Sequence, residues 1–260
     1  MTKAVIVVNA GSTSLKFGAY GLDMPGSLPL LCRGQIDTMQ GDPHFVAKNA
    51  AGKPLDAHEW GEGHAIDHQT ALHFVVSWLE ANVADLKVTG AGHRVVLGGT
   101  RFESPVRIDG DVLDYLDSLA SIEPSHQPFN VRAARAVAEV FPGLPQVACF
   151  DTSFHRTMPE VAQIYALPQD ASDAGVRHWG YHGISYDYIS RQVPKFAPKA
   201  RRVIAGTSAA ARACVPCWTV AALRPQWPLA VSPAFLWRRG PVTYRRMSCS
   251  ICCAASFSTA

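Results

Sequence analysis

The chain has 260 residues, 48% of them hydrophobic and 17% charged, with a formal net charge of +3. That is a globular composition on the scale of about two domains, and it excludes a disordered or collagen-like chain. No apolar run reaches the ~20 residues that span a bilayer, and the apolar stretch after Met1-Thr2-Lys3 is too short for a secretory leader, so a soluble cytoplasmic protein is expected.

In chain order, Ala4–Val8 is a continuous apolar run rich in β-branched residues and reads as a buried strand. Asn9-Ala10-Gly11-Ser12 supplies turn chemistry. Ser14–Tyr20 then alternates and reads as a second strand, so the chain opens with a hairpin whose tip is small and polar. Leu30–Gln35 is a third strand. Residues 68–86 place Leu72, Phe74, Val75, Trp78, Leu79 and Val83 at helical spacing. Val88–Val96 is a strand leading into Leu97-Gly98-Gly99. Asn130–Val140 is an Ala-rich helix, Gln146–Phe150 a short buried strand, Ser185–Val193 a helix and Arg202–Ala205 the start of another strand. Strands alternating with helices indicate an α/β fold with a mixed sheet.

Four segments could carry chemistry. In Asn9-Ala10-Gly11-Ser12-Thr13-Ser14-Leu15-Lys16, a hairpin tip presents backbone N–H groups and hydroxyls to phosphate oxygens, with Lys16 to neutralise charge and Asn9 offering an oxygen to a metal-bound water. The Walker A pattern is absent, and the bland alternative is an ordinary hairpin with a solvated lysine. In Gly92-His93-Arg94-Val95-Val96-Leu97-Gly98-Gly99, an arginine beside a glycine pair at a strand end suits a small carboxylate; taken alone, a surface arginine in a turn explains it better. Asp151 stands at the carboxyl end of a buried strand, where α/β sheets place their ligands, but Asp or Thr there could equally cap a helix. His182, between Tyr181 and Gly183, is a lone histidine, a residue that is more often structural.

Taken together and in this order, Val-Asn-Ala-Gly-Ser-x-Ser-Leu-Lys-Phe, Gly-His-Arg-Val-Val-x-Gly-Gly, Phe-Asp-Thr-x-Phe-His-x-Thr-Met-Pro and Gly-Tyr-His-Gly-x-Ser resemble the acetate kinases, as does His126-Gln127-Pro128-Phe129-Asn130. The resemblance covers roughly residues 3–206. It implies the actin-like, ribonuclease H-like α/β fold of sugar kinases and heat-shock ATPases, with its second domain truncated. The expected divisions are 1–152, 153–206 and an aberrant, low-order tail at 207–260. It also implies ATP as co-substrate, Mg²⁺ (or Mn²⁺) as cofactor, reversible phosphorylation of acetate to acetyl phosphate, and a homodimer. By this resemblance Asn9 lies on the Mg²⁺ side, Ser12, Ser14 and Lys16 serve the nucleotide phosphates, Arg94 holds acetate, Asp151 is the catalytic carboxylate and His182 stabilises the transition state. Leu97 departs from the family's usual histidine. Propionate or butyrate kinase, or a non-catalytic remnant, is the alternative, since a methyl pocket discriminates a methylene by only ~1–3 kcal/mol.

Residues 207–260 differ in kind. They hold six arginines, no lysine and no acidic residue; subtracting those six from the chain's 24 basic residues leaves 18 against 21 acidic ones upstream. Five of the seven cysteines also fall there. After Gly206 the family continues His-Leu-Gly-x-Gly-x-Ser, whereas this chain reads Thr207-Ser208-Ala209-Ala210-Ala211-Arg212. With GC-rich codons, deleting one C at the Gly–His junction turns the family sequence into this one. Stepping Gly240–Cys252 back one base yields Arg-Pro-Gly-Asp, like the family's Arg-x-Gly-Asp segment. The tail therefore reads as out-of-frame translation. A zinc module from Cys214-x-x-Cys217 and Cys249-x-x-Cys252 is the rival, but the spacing between the pairs exceeds the usual 15–20 residues. A nucleic-acid arm fits poorly, because the arginines are dispersed and no stacking motif interleaves them. The shift, whether from a mutation, a pseudogene or a sequencing error, is tested by the gene's nucleotide sequence: the neighbouring frame is expected to encode His-Leu-Gly-x-Gly after the Gly206 codon and Arg-x-Gly-Asp near the Gly240 codon, and a neighbouring frame that encodes neither refutes it.

Overall fold

A computed structural model describes residues 1–23, 26–173, 175–200, 202–208 and 212–218, with only Val203 and Ala205 carrying described side chains after residue 200. The chain divides into two compact units, Met1–Ser153 and Phe154–Ala260, each taken by itself below.

The first unit is built on one mixed sheet. Its strands are β1 (Thr2–Ala10), β2 (Leu15–Gly21), β3 (Leu30–Asp37), β4 (His44–Asn49), β5 (Pro54–Glu59), β6 (Leu86–Val95), β7 (Val106–Arg107) and β8 (Gln146–Phe150). Helices α1 (His68–Asn82), α2 (Gly110–Ser118) and α3 (Gln127–Val140) connect them. The spatial order is β5-β4-β3-β2-β1-β6-β8-β7. From β5 to β1 the pairing is antiparallel; β1–β6 and β6–β8 are parallel. The direction therefore changes at β1, leaving β1, β6 and β8 as a parallel set, and open α/β sheets take their ligands outside the carboxyl ends of parallel strands.

The continuous apolar run of β1 reads as a strand buried throughout, but only one face is: Ala4, Ile6, Val8 and Ala10 are buried, while Val7 on the other face is exposed. The buried face continues through Leu15, Phe17, Ala19, Cys32, Ile36, Phe45 and Ala47, and α1 and α3 complete that core. Asp67 caps α1 by accepting a hydrogen bond from the Thr70 N–H at 2.8 Å. The helix contributes Leu72, Val75, Trp78 and Leu79 at the spacing read from the sequence. In α3, Pro128 sits in the first turn, where its missing N–H costs nothing, and Ala133, Ala136 and Val137 form a small-residue face in the core. Each fully buried Leu or Ile of this layer contributes roughly 1.5–3 kcal/mol.

Strands β4 and β5 and helix α2 were not expected. In β5 all six residues are exposed, so no apolar face marks it. In α2 only Val112 and Leu116 are buried, too sparse a stripe to stand out.

The second unit contains the short helices α4 (Glu160–Gln163) and α5 (Gln169–Asp173), then α6 (Gly183–Phe196), β9 (Arg202–Ser208) and β10 (Arg212–Trp218). Tyr186 of α6, 1% exposed, packs with Phe154, Ile189 and Ala205. Strands β9 and β10 pair antiparallel from Ser208↔Arg212 to Arg202↔Trp218. Strand β10 falls within residues 207–260, the stretch set apart as a tail in the sequence reading. The expectation for 219–260 lies outside the described residues, as do Cys249 and Cys252 of the zinc alternative. Among the described residues no helix is long and apolar enough to cross a membrane.

Inside the first core lies a polar pair, in which His93, 2% exposed, donates from Nε2 to Gln146 Oε1 at 2.7 Å. Burial pushes the His93 imidazole down to about 4. Because the folded value lies below the unfolded one near 6.5, this group's contribution is full above pH ~6.5 and falls as pH drops towards 4, a loss of about 3 kcal/mol at completion. Urea melts between pH 7 and 4 are expected to show that slope, and His93→Gln to flatten it.

Candidate functional site

The site forms where β1, β6 and β8 end. Strand β1 delivers Asn9 on the face opposite its buried residues, and the register Asn9↔Lys16 sets Lys16 on the same side across the hairpin. The Gly11 N–H donates to Ser14 O at 2.8 Å and closes the tip that carries Ser12 and Ser14. His68, the first residue of α1, donates from Nε2 to Gly11 O at 2.8 Å and ties that tip to the core. Its imidazole is pushed down, first by burial.

Strand β6 delivers Arg94, and β8 ends immediately before Asp151. The Arg94 Nη2 donates to Asp151 Oδ2 at 2.6 Å, Nε donates to the same oxygen at 3.1 Å, and Nη1 donates to Asn9 Oδ1 at 3.2 Å. The Asp151 carboxylate is wholly buried, while the Arg94 side chain is 31% exposed. A guanidinium has five N–H donors; three are used here, which leaves one on each terminal nitrogen. That pair is the fork that receives a carboxylate bidentately. On the other side, Asp151 Oδ1 is buried with no hydrogen-bond partner. An orphaned buried acceptor costs about 1–3 kcal/mol, so this oxygen is suited to a donor or a cation. Asp151 does open a 3-10 segment, Asp151–Thr157, but its carboxylate is spent on Arg94 and not on a helix cap.

The turn after Arg94 is fixed by steric necessity. The Gly98 N–H donates to Thr152 Oγ1 at 3.1 Å, and a Cβ on Gly98 would lie 2.9 Å from Phe102 O and from the Phe150 ring. Leu97, at the position of the family's histidine, is fully buried, so it lines the core and not an open wall.

In the second unit, His182 takes the left-handed conformation (φ +60°) at the start of α6, sparsely populated for a non-glycine residue and frequent at functional positions. His155 shapes the preceding turn. It donates from Nε2 to Tyr181 O at 3.0 Å, and its ring fills the space that a Cβ on Gly180 would need.

Asn9, Arg94 and Asp151 are thus brought into direct contact, and Ser12, Ser14 and Lys16 share Asn9's hairpin. Sequence reasoning gave no role to Asn130, Gln127, His68 or His155, although His155 and the His126–Asn130 segment lie within the quoted motifs. Among the described residues no cluster of three His, Cys, Asp or Glu could hold a metal by itself.

The Acetokinase family model matches residues 4–206. The chain belongs to the acetokinase family. It is 38% identical over 219 residues to an acetate kinase of Rhodopseudomonas palustris, an alignment covering 82% of this chain and 54% of that protein. To the acetate kinase of Rhizobium meliloti it is 39% identical over 214 residues, covering 81% and 54%. Among solved structures, Porphyromonas gingivalis acetate kinase superposes with a TM-score of 0.69 at 27% identity, covering 84% of this chain and 55% of that one. A propionate kinase from Francisella tularensis gives 0.71 at 28%, covering 83% and 54%. The fold is therefore the actin-like, ribonuclease H-like α/β class expected from the motifs, and the chain spans about half the length of the acetokinase relatives it matches.

Removing one member of a buried ion pair leaves the other uncompensated. Arg94→Ala is expected to destabilise the protein by about 3 kcal/mol, and the double variant Arg94→Ala/Asp151→Asn to recover most of it. Chemical denaturation of both variants checks this.

Proposed function

We propose that this chain carries the acyl end of an acetate kinase site, in which a phosphoryl group passes between ATP and acetate to form acetyl phosphate. The observation that carries the reading is the Arg94 guanidinium: clamped by Asp151 and Asn9, it keeps two N–H donors on a side chain that reaches solvent. Such a fork binds a small carboxylate, and its rigid seat removes the ordering cost from binding. Acetate is ionised at neutral pH, like a Glu side chain, so no base is needed. What remains is positioning and charge stabilisation of an in-line transfer.

Asp151 then orients and does not abstract a proton. Its orphaned Oδ1 fits a Mg²⁺-bound water, consistent with an ion that keeps several waters and takes few protein ligands. When bound, Mg²⁺ would neutralise charge on the transferring phosphates. Ser12, Ser14 and the backbone of the hairpin tip offer donors to phosphoryl oxygens, and Lys16 adds a mobile positive charge. For His182, stabilisation of the transferring group is supported by the family resemblance and by its strained backbone. Homodimer formation and a cytoplasmic location are part of the same reading. The propionate kinase neighbour keeps propionate as the second acyl group to test.

The family match stops at residue 206, and we read residues 207–260 as frame-shifted. The 260-residue chain is accordingly expected to bind acetate yet to turn over far below a full-length relative, by ~10³-fold or more if a charge-stabilising arginine is missing. Calorimetric titration with acetate and propionate, alongside acetyl phosphate formation trapped by hydroxylamine, tests this. Arg94→Lys is expected to weaken acetate binding by about 10- to 100-fold and Asp151→Asn to abolish residual turnover. An Asp151→Asn variant with full kcat removes Asp151 from the mechanism, and wild-type chain that takes up no acetate overturns the assignment of Arg94.

A further inference from the structure

The parallel ladder between β1 and β6 does not run to the ends of the two strands. Its last pair is Val8 with His93, although β1 continues to Ala10 and β6 to Val95. Asn9 and Arg94 are the next residues on each strand, so they sit where the backbones part. The sheet itself therefore does not set their separation. Side chains must do so, or the 3.2 Å contact between Arg94 Nη1 and Asn9 Oδ1 would rest on one hydrogen bond at a crevice mouth.

One side chain spans the gap. Asn130, on the first turn of α3 and 3% exposed, donates from Nδ2 to Ala10 O at 2.8 Å and accepts at Oδ1 from the Val96 N–H at 3.0 Å. Its carboxamide stands in for the next rung of the ladder, joining the residue after Asn9 to the residue two beyond Arg94. Gln127, three residues earlier at the start of the same helix and fully buried, holds the adjoining segment: its Oε1 accepts from Leu97 N at 3.3 Å, and its Nε2 donates to Leu97 O and Leu116 O. The β6 side of the crevice is thus held by two amides, whereas α3 ties the β1 side through Asn130 alone among the described hydrogen bonds.

We propose that Asn130 is a positioning residue: it fixes the distance between the Asn9 hairpin and Arg94, and with it the span of ligand the crevice accepts. The second half of this statement rests on the acyl-kinase reading above. An acyl phosphate spans both elements, with its acyl oxygen on Arg94 and its phosphoryl group at the hairpin. Inorganic phosphate needs the hairpin alone. Loss of the staple therefore weakens the two-ended ligand selectively.

The test uses the whole 260-residue chain. Side-chain NMR signals of the Asn9 carboxamide and the Arg94 Nε–H are followed in wild type and Asn130→Ala. The Trp78 indole N–H, bonded to Asp56, serves as an internal control. Both site signals are expected to move while Trp78 stays, and acetyl phosphate affinity to fall about tenfold or more with inorganic phosphate changed by less than about twofold. If Asn130→Ala does not fold, Asn130→Asp carries the same readout. It keeps the acceptor for Val96 and loses the donor to Ala10, so the Asn9 signal is expected to move further than that of Arg94. Unmoved Asn9 and Arg94 signals, a Trp78 shift of equal size, or equal weakening of both ligands overturns the proposal. Wild-type chain that binds acetyl phosphate no better than phosphate refutes the acyl-kinase reading, and the NMR comparison then decides the staple by itself.

Discussion

The first unit's chemistry depends on a charge that cannot exist alone. Asp151 is wholly buried, and a buried carboxylate without a partner is expensive enough to protonate or unfold its surroundings. Arg94 relieves that cost, and in doing so its guanidinium is locked in one orientation from the Nε side. The pairing is asymmetric. Asp151 gives up one oxygen and is left with another, and Arg94 gives up three N–H groups and is left with two. Structural ion pairs usually exhaust themselves on each other; this one retains capacity on both members, in chemically complementary form.

The same economy governs the surrounding frame. The parallel strands β1, β6 and β8 bring three side chains from distant parts of the chain to one rim, and the polar groups beneath them are amides and histidines, not charges. Asn130, Gln127, Gln146, His93 and His68 are all buried or nearly so, and all bond neutral partners. Neutral hydrogen bonds specify geometry without the desolvation cost of an ion, and they leave the electrostatics of the rim to Arg94 and Asp151.

Much of this was legible in the sequence, and the reasons are local. The alternation of β2 and the α1 periodicity follow from burial on one face, which leaves a periodic mark, and β1 shows itself as an unbroken apolar run. Strand β5 left none because it buries nothing, and α2 almost none because two residues anchor it. Arg94 and Asp151 could be singled out as site residues by their places at strand ends and by family resemblance, but their mutual contact could not, since 57 residues separate them. Asn130 was the least visible: a polar residue in an Ala-rich helix has no periodic signature, and its role exists only once two strands are seen to part.

One margin of the sheet has a further consequence. Strand β5 is the outermost strand, fully exposed along its length, and an open strand edge is a template on which another chain can stack. Here that edge begins with Pro54, which has no N–H to offer, and carries Asp56 and Glu59; one Asp56 oxygen is already engaged by the Trp78 indole. A would-be neighbouring strand thus meets a missing donor and like acidic charges where it needs a clean ladder, features by which an open strand edge discourages stacking.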